Sequence, residues 1–208
     1  VESDLEAGVR HFLLFPVPGH KAARNFDPSF AASAIAEIRR RAGRDVVIWV
    51  DTCLCSHTHT GHCALFDANA RQDLPATLAE LNRLALAYAQ AGADGISPSD
   101  MNDGRVASLR AQLDAAGFDL TPIMSYSSKF ASNFYGPFRQ AAHSSPQFGD
   151  RRGYQLDVRS RRDALAASLA PEGAVVPIVF YRAALLAADT VPIDALCAEL
   201  ASRGLAPA

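Results

Sequence analysis

Short apolar segments alternate with helical patterns along most of the chain, and this alternation limits the possible folds. The clearest apolar segment, residues 46–50, is continuous and rich in β-branched side chains, which is typical of a strand buried on both faces. Because parallel strands need crossover connections, strands separated by helices predict an α/β fold. The other predicted strands are residues 12–15, 94–96, 120–125 and 175–181, and the predicted helices are residues 31–42, 74–91, 106–116, 163–169 and 194–203.

The composition favours a single α/β domain over residues 1–208. With 20 basic and 22 acidic side chains, the net charge is −2, which gives no indication of a nucleic-acid partner. No apolar run reaches the roughly 18 residues of a membrane span, and the acidic N-terminus lacks a signal-peptide pattern. We therefore expect a cytoplasmic protein without a membrane partner.

Polar residues follow several of the predicted strands. Asp51 follows the strand at 46–50, Ser99 follows the strand at 94–96, and Lys129 follows the strand at 120–125. About five parallel strands are compatible with a doubly wound sheet or with part of a (β/α)8 barrel. Both architectures place their chemistry at the carboxyl ends of the strands, so this edge is the predicted active-site face.

Three of the four cysteines fall within eleven residues, at Cys53, Cys55 and Cys63. Thiolates are preferred zinc ligands, and three of them leave a fourth position open for water or substrate. We therefore predict a Zn²⁺ site, with reduced free thiols or an adventitious surface metal cluster as the alternatives. Three histidines in the same segment are further candidates for ligands or proton carriers: His57, His59 and His62.

Lysine is scarce, because eighteen of the twenty basic residues are arginine and only Lys21 and Lys129 are lysine. A lysine near an apolar wall and other cations becomes nucleophilic toward carbonyl groups. Arginines such as Arg139 and Arg151 bind carboxylates bidentately, so a lysine beside them suits a keto acid. The alternative is an exposed loop with scattered ion pairs, each worth at most about 1 kcal/mol.

Several longer motifs resemble porphobilinogen synthase (5-aminolevulinate dehydratase). They are the segments 98–105, 124–129, 135–139 and 148–152, together with the cysteine loop. The resemblance is dense over residues 8–157, whereas residues 158–208 diverge. It implies a (β/α)8 barrel and a lyase of tetrapyrrole biosynthesis that joins two 5-aminolevulinate molecules.

The resemblance also implies roles for individual residues. Lys129 matches the imine-forming lysine, with Asp51 and Ser99 as further catalytic groups. The three cysteines match the zinc ligands of the family. The residues expected to bind substrate are Tyr135, Arg139, Arg151 and Gln155.

One departure from the family concerns a second active-site lysine. The family uses a second lysine, whereas no lysine occurs after Lys129 here. We therefore expect a shortened, specialised enzyme that condenses 5-aminolevulinate or a similar amino-keto acid. There are two alternatives. The chain could be an unusual form or a fragment of the ordinary haem-pathway dehydratase, or a non-catalytic homologue that binds zinc or aminolevulinate.

Five or six strands cannot close an eight-stranded barrel, so we expect an incomplete barrel. The exposed edges of such a barrel favour a homo-oligomer such as a dimer.

Overall fold

The computed structural model describes residues 1–168, 175–176, 198–199, 201–202 and 206–207. The chain divides into two units by its internal contacts. Unit 1 consists of Val1–Ser125 and Pro137–Gly149, and unit 2 consists of Tyr126–Gly136 and Asp150–Ala208.

Unit 1 contains a parallel sheet of three strands in chain order. The strands are β1 (His11–Leu14), β2 (Val47–Asp51) and β3 (Gly95–Ser97). β1 pairs with β2, and β2 pairs with β3. In the second pair Trp49 lies opposite Gly95, where a β-carbon on the glycine would stand 2.3 Å from the indole ring. Glycine at this position therefore lets the ring lie over the neighbouring strand.

Helix α1 (Glu2–Glu6) precedes β1, and one helix follows each strand: α2 (Ser29–Ala42) after β1, α3 (Leu74–Gln90) after β2 and α4 (Arg105–Ala115) after β3. Helix α5 (Gly136–Ala141) lies further along the chain. α3 begins where the Asp73 side chain accepts a hydrogen bond from the Ala76 amide, which satisfies a free N–H of the first turn. The last turn of α2 carries three arginines, whose charge suits the helix C-terminus.

The core of unit 1 lies between this sheet and its helices. Ile48, Val50 and Ile96 contribute side chains from the strands, and Leu81 and Leu84 contribute side chains from α3; all five are fully buried. Burying side chains of this size contributes about 1.5–3 kcal/mol each. The helix and sheet layers of unit 1 are thus held together mainly by aliphatic packing.

The predicted alternation of strands and helices in this part of the chain is confirmed, with bounds shifted by one or two residues. The expected strand at 120–125 is the exception, because it is reduced to a bridge in which Ile123 pairs in parallel with Ile96. The Pro122 carbonyl accepts from the Ile96 amide, and the Met124 amide donates to the Ile96 carbonyl. Since Leu120 is 90% exposed and Pro122 has no N–H to donate, pairing extends no further along this segment.

Unit 2 contains a 3-10 turn at Asn133–Tyr135, helix α6 (Arg161–Ser168), and two short strands that pair in parallel, β4 (Val175–Val176) and β5 (Ala206–Pro207). The predicted helix at 163–169 corresponds to α6. Of the predicted strand at 175–181 and the predicted helix at 194–203, most residues lie outside the described ones. Whether the strands form an incomplete barrel therefore stays a prediction.

None of the helices in the described part of the chain combines the length and apolar character needed to cross a membrane.

Candidate functional site

The three predicted metal ligands converge after the end of β2. The Sγ atoms of Cys53, Cys55 and Cys63 all lie within 4.8 Å of one another, with 3.4 Å between those of Cys53 and Cys55. All three thiols are buried. Contacts with the Cys55 and Cys63 thiols, together with burial, raise the pKa of Cys53 well above its ordinary value. Three crowded, buried thiols are a poor environment for unpaired thiolates but a suitable one for a cation that binds them.

The cysteine loop is not extended between Cys53 and Cys55. The chain turns at Leu54, whose carbonyl accepts hydrogen bonds from the amides of His57 and Thr58, both at 2.9 Å. The two thiols therefore meet because the backbone folds back on itself, and not because alternate side chains of a strand face the same way.

The separations fit a tetrahedral metal centre. Thiolates bound to zinc at about 2.3 Å lie about 3.8 Å apart in a tetrahedron, so shifts below an ångström would bring these three sulfurs into place. Among the described residues, the cluster with ligand atoms this close consists of the three cysteines alone. The histidines of the segment do not join it.

Those histidines have three different environments. His57 is buried, and loss of solvent lowers its pKa to about 4, so that the imidazole is neutral at pH 7. His59 is exposed. His62 is fully buried between the rings of Phe66 and Phe148, with Nε2 2.9 Å from the Phe148 carbonyl oxygen. His62 therefore helps to fix the loop.

The cysteine loop is also anchored from the segment before residue 150. The Gln147 amide donates to the Thr60 carbonyl at 2.9 Å. Gly61, with a φ of +69°, passes so close to Ser145 that an added β-carbon would lie 2.2 Å from the Ser145 carbonyl oxygen. On the other side, Ala22 pairs with Thr58. These contacts hold the part of the loop that carries Cys63.

Asp51 and Ser99 lie at the carboxyl edge of the sheet, as expected. Asp51 is the last residue of β2 and pairs with Ser97 at the end of β3, and Ser99 follows two residues later. Asp51 is 9% exposed and Ser99 is 6% exposed. Arg139, which also belongs to unit 1, is half-buried in the last turn of α5.

In unit 2, Lys129 is a buried amine next to two aromatic rings. The residue is only 8% exposed. Its Nζ lies 5.4 Å from the ring centre of Tyr135 and 5.8 Å from that of Tyr126. At these distances the negative faces of the rings attract a cation. Tyr126 was not singled out from the sequence; its place three residues before the lysine, in the same motif, is the signal that was available.

Backbone pairing places Gln155 beside this lysine. The Lys129 carbonyl accepts from the Leu156 amide at 3.0 Å, and the Ala131 amide donates to the Leu156 carbonyl at 2.8 Å. Gln155 precedes this pair and is 6% exposed. Within the described part of the chain, neither Oε1 nor Nε2 of Gln155 has a hydrogen-bond partner. Because a buried polar group without a partner costs about 1–3 kcal/mol, this amide is typical of one that binds a ligand.

Arg151 lies on the same turn as Gln155. Its carbonyl accepts the Gln155 amide hydrogen at 2.9 Å, and side chains four residues apart on a helical turn face the same way. Arg151 is 2% exposed. Unit 2 therefore contains four of the predicted site residues, namely Lys129, Tyr135, Arg151 and Gln155.

These features define an α/β protein whose parallel sheet carries a cysteine cluster of the metal-binding type near the carboxyl ends of its strands. The profile of the family described as delta-aminolevulinic acid dehydratase matches residues 1–190. The chain belongs to this family, which confirms the resemblance inferred from the motifs.

Individual proteins with this name are similar to the chain over most of its length. The delta-aminolevulinic acid dehydratase of Helicobacter pylori is 43% identical over 189 residues, covering 88% of this chain and 58% of that protein. The protein of the same name from Archaeoglobus fulgidus is 45% identical over 169 residues, covering 79% of this chain and 52% of the relative. This chain thus spans little more than half the length of these curated relatives.

A solved structure has the same fold. Delta-aminolevulinic acid dehydratase from Toxoplasma gondii, determined with its reaction product porphobilinogen, has a TM-score of 0.85 and 30% sequence identity. The match covers 99% of this chain and 59% of the Toxoplasma chain.

Proposed function

We propose that this chain is a porphobilinogen synthase-type lyase in which Lys129 forms an imine with 5-aminolevulinate or a similar amino-keto acid. The observation that carries the proposal is the buried Lys129 amine, packed near two tyrosine rings. Its backbone pairs with the segment that carries Gln155, a buried amide that has no partner among the described residues. Membership of the delta-aminolevulinic acid dehydratase family supports the choice of substrate class.

The surroundings of Lys129 suit this chemistry. Attack of Nζ on the substrate ketone forms a C–N bond, and the carbonyl oxygen leaves as water. The protonated imine is a cation, and the rings of Tyr126 and Tyr135 favour a positive charge at this position. Burial excludes the water that would hydrolyse the imine.

The neighbouring polar groups suit the rest of the substrate. An arginine fork binds a carboxylate through two parallel hydrogen bonds, and Arg151 is buried on the same turn as Gln155. The Gln155 amide offers a donor and an acceptor to the polar atoms of an amino-keto acid. We assign substrate binding to these two residues, and the corresponding roles of Arg139 and Tyr135 rest on the family resemblance.

We further propose that the cysteine cluster holds Zn²⁺. Three thiolates are the donor set that selects zinc over magnesium or calcium, and the open fourth position suits a catalytic centre. When bound, the metal supplies Lewis-acid chemistry toward an amine or water. Asp51 and Ser99, at the edge of the sheet, are the proposed groups that move protons and orient substrate in unit 1.

Imine trapping tests the role of Lys129. The purified chain is incubated with zinc and 5-aminolevulinate, reduced with borohydride, and mapped by mass spectrometry of its peptides. Condensation followed by reduction adds the mass of one 5-aminolevulinate less one oxygen atom. We expect this adduct on the peptide that contains Lys129.

The chain provides its own control, because Lys21 is its only other lysine. Lys21→Arg should leave the adduct unchanged, whereas Lys129→Arg should abolish it while keeping a positive charge. A wild-type chain without an adduct, or one modified equally at Lys21, would overturn the proposal.

A second candidate is the ordinary 5-aminolevulinate dehydratase reaction, which the names of the relatives favour. It requires the second substrate to react without an imine to a later lysine of this chain. Porphobilinogen identified by mass after incubation with 5-aminolevulinate alone would support it. A product formed only with an added second amine would instead support the specialised condensation, and tight binding without an adduct or turnover would indicate a non-catalytic homologue.

Assembly, location and domain number remain proposals from the sequence. We propose a homo-oligomer such as a dimer, in the cytoplasm, with residues 1–208 forming one porphobilinogen synthase-like domain. Sedimentation of the chain with and without zinc tests the first of these.

A further inference from the structure

A buried polar network lies beside the cysteine cluster and is not explained by the proposed chemistry. Its centre is Asn102, which follows β3 and is fully buried, as is Asp100. The Asn102 side-chain amide donates to the Cys63 carbonyl at 3.0 Å and to the Asp100 carboxylate at 2.5 Å. Its Oδ1 accepts from the side-chain amide of Gln72 at 2.6 Å. Both hydrogens and the oxygen of the Asn102 amide are therefore engaged with the protein.

This arrangement requires an asparagine. Rotating the amide by 180° would place Oδ1 against the Cys63 carbonyl and the Asp100 carboxylate, which are both acceptors. Aspartate has the same shape but would present acceptors to both neighbours. Facing acceptors in a buried site lose their hydrogen bonds to water and gain no donor in return, which destabilises the arrangement.

A charged side chain, Arg105, also holds this network in place. The Arg105 guanidinium lies 3.6 Å from the Asp100 carboxylate and donates to the Ser125 hydroxyl at 2.9 Å. It also donates to the Asn102 backbone carbonyl at 3.2 Å. Because Arg105 starts α4, the position of Asn102 is fixed from a helix as well as from the end of β3.

We propose that Asn102 is a positioning residue of the cysteine centre, which holds the backbone of Cys63 so that its thiol faces those of Cys53 and Cys55. Two cysteines of the set are only two residues apart, and a local turn brings them together. Cys63 is eight residues from Cys55 in sequence, so its placement depends on contacts from elsewhere. The hydrogen bond from Asn102 is such a contact, and it is made at the ligand residue itself. Because the backbone of Cys63 is already held in place, less conformational entropy is lost when the metal binds.

This inference rests on the proposed zinc site, and zinc affinity tests it directly. Affinity is measured on the full chain by competition with a chromophoric chelator. Loss of groups that orient metal ligands typically weakens binding about 10- to 100-fold, so we expect at least about tenfold weaker binding for Asn102→Asp. The charge-transfer absorption of the cobalt-substituted protein, which reports thiolate coordination, should change in the same variant.

Asn82→Asp is the matched control. Asn82 of α3 donates to the Ser108 hydroxyl of α4 at 2.8 Å, so the same chemical change removes a donor in the same unit. It should lower the thermal midpoint while leaving the zinc affinity and the cobalt spectrum unchanged.

Gln72→Ala keeps the inference testable if Asn102→Asp does not fold. Gln72 is exposed and contributes one bond to the Asn102 amide, so we expect a smaller weakening of zinc binding, about threefold. Wild-type zinc affinity in Asn102→Asp, or in Gln72→Ala if that is the only variant to fold, would overturn the inference. If the unsubstituted chain itself bound no zinc, the metal assignment would fail and the inference with it.

Discussion

Gly61 of the cysteine loop allows the sharpest test of how the loop is held. In Gly61→Ala, the new β-carbon would lie 2.2 Å from the Ser145 carbonyl oxygen and 2.7 Å from its carbonyl carbon. Both atoms belong to the backbone, so no side chain can rotate away. The residue also has a φ of +69°, a conformation that costs an L-residue about 1–2 kcal/mol.

The expected loss of stability is the sum of three terms. Relieving the contact requires a backbone shift of about 1 Å, and overpacking of this kind costs about 1–3 kcal/mol. The shift would also strain the hydrogen bond from the Gln147 amide to the Thr60 carbonyl, worth about 0.5–1.5 kcal/mol. With the φ cost of about 1–2 kcal/mol, we expect a loss of about 2.5–6.5 kcal/mol.

Thermal unfolding measured by circular dichroism on the metal-free chain checks this value. For a chain of this length, 1 kcal/mol corresponds to about 2–4 °C, so the midpoint should fall by roughly 5–25 °C. Zinc affinity should fall as well, because the displaced segment leads into Cys63.

Gly117→Ala tests the cost of the backbone conformation without a steric contact. Gly117 has a φ of +80°, yet a β-carbon there would meet nothing within 4 Å. Its substitution should cost only the backbone term, about 1–2 kcal/mol, and leave zinc binding unchanged. Equal losses for the two variants would refute the argument that the Ser145 contact controls the loop.

Three further predictions concern unit 1. Burial lowers the pKa of His57 to about 4, so on acidification the unfolded chain takes up a proton before the folded one does. The stability of the metal-free protein should therefore fall by on the order of 3 kcal/mol between about pH 6.5 and 4. In His57→Gln, the urea midpoint should lose this dependence on pH. Glu80→Gln removes the negative charge that accepts from the Asn25 amide at 2.8 Å and the Phe26 amide at 3.4 Å. Its NH2 group would face one of these donors, so the change should cost about 1.5–3 kcal/mol in chemical denaturation. Leu84→Ala, at a fully buried side chain, should cost about 2–5 kcal/mol, whereas Leu120→Ala, at a 90% exposed one, should change stability by less than about 0.5 kcal/mol.

Local sequence patterns determined the elements of unit 1 and the three clustered cysteines. The strands and long helices follow from side-chain periodicity, which each segment expresses without help from the rest of the chain. Cys53, Cys55 and Cys63 were recognisable because ligand chemistry depends on residue type and on short spacing. The segment at 120–125 failed as a strand because pairing depends on a neighbour, and only Ile123 is bridged to β3.

Only the tertiary structure decided how these residues are oriented. The hydrogen bond from Asn102 to the Cys63 carbonyl joins residues 39 positions apart, and the approach of Gly61 to Ser145 spans a still longer stretch of chain. No local pattern encodes such contacts, because they arise when separate segments pack together. The sequence by itself thus determined which side chains are available for chemistry, while packing decided which atoms hold them in place.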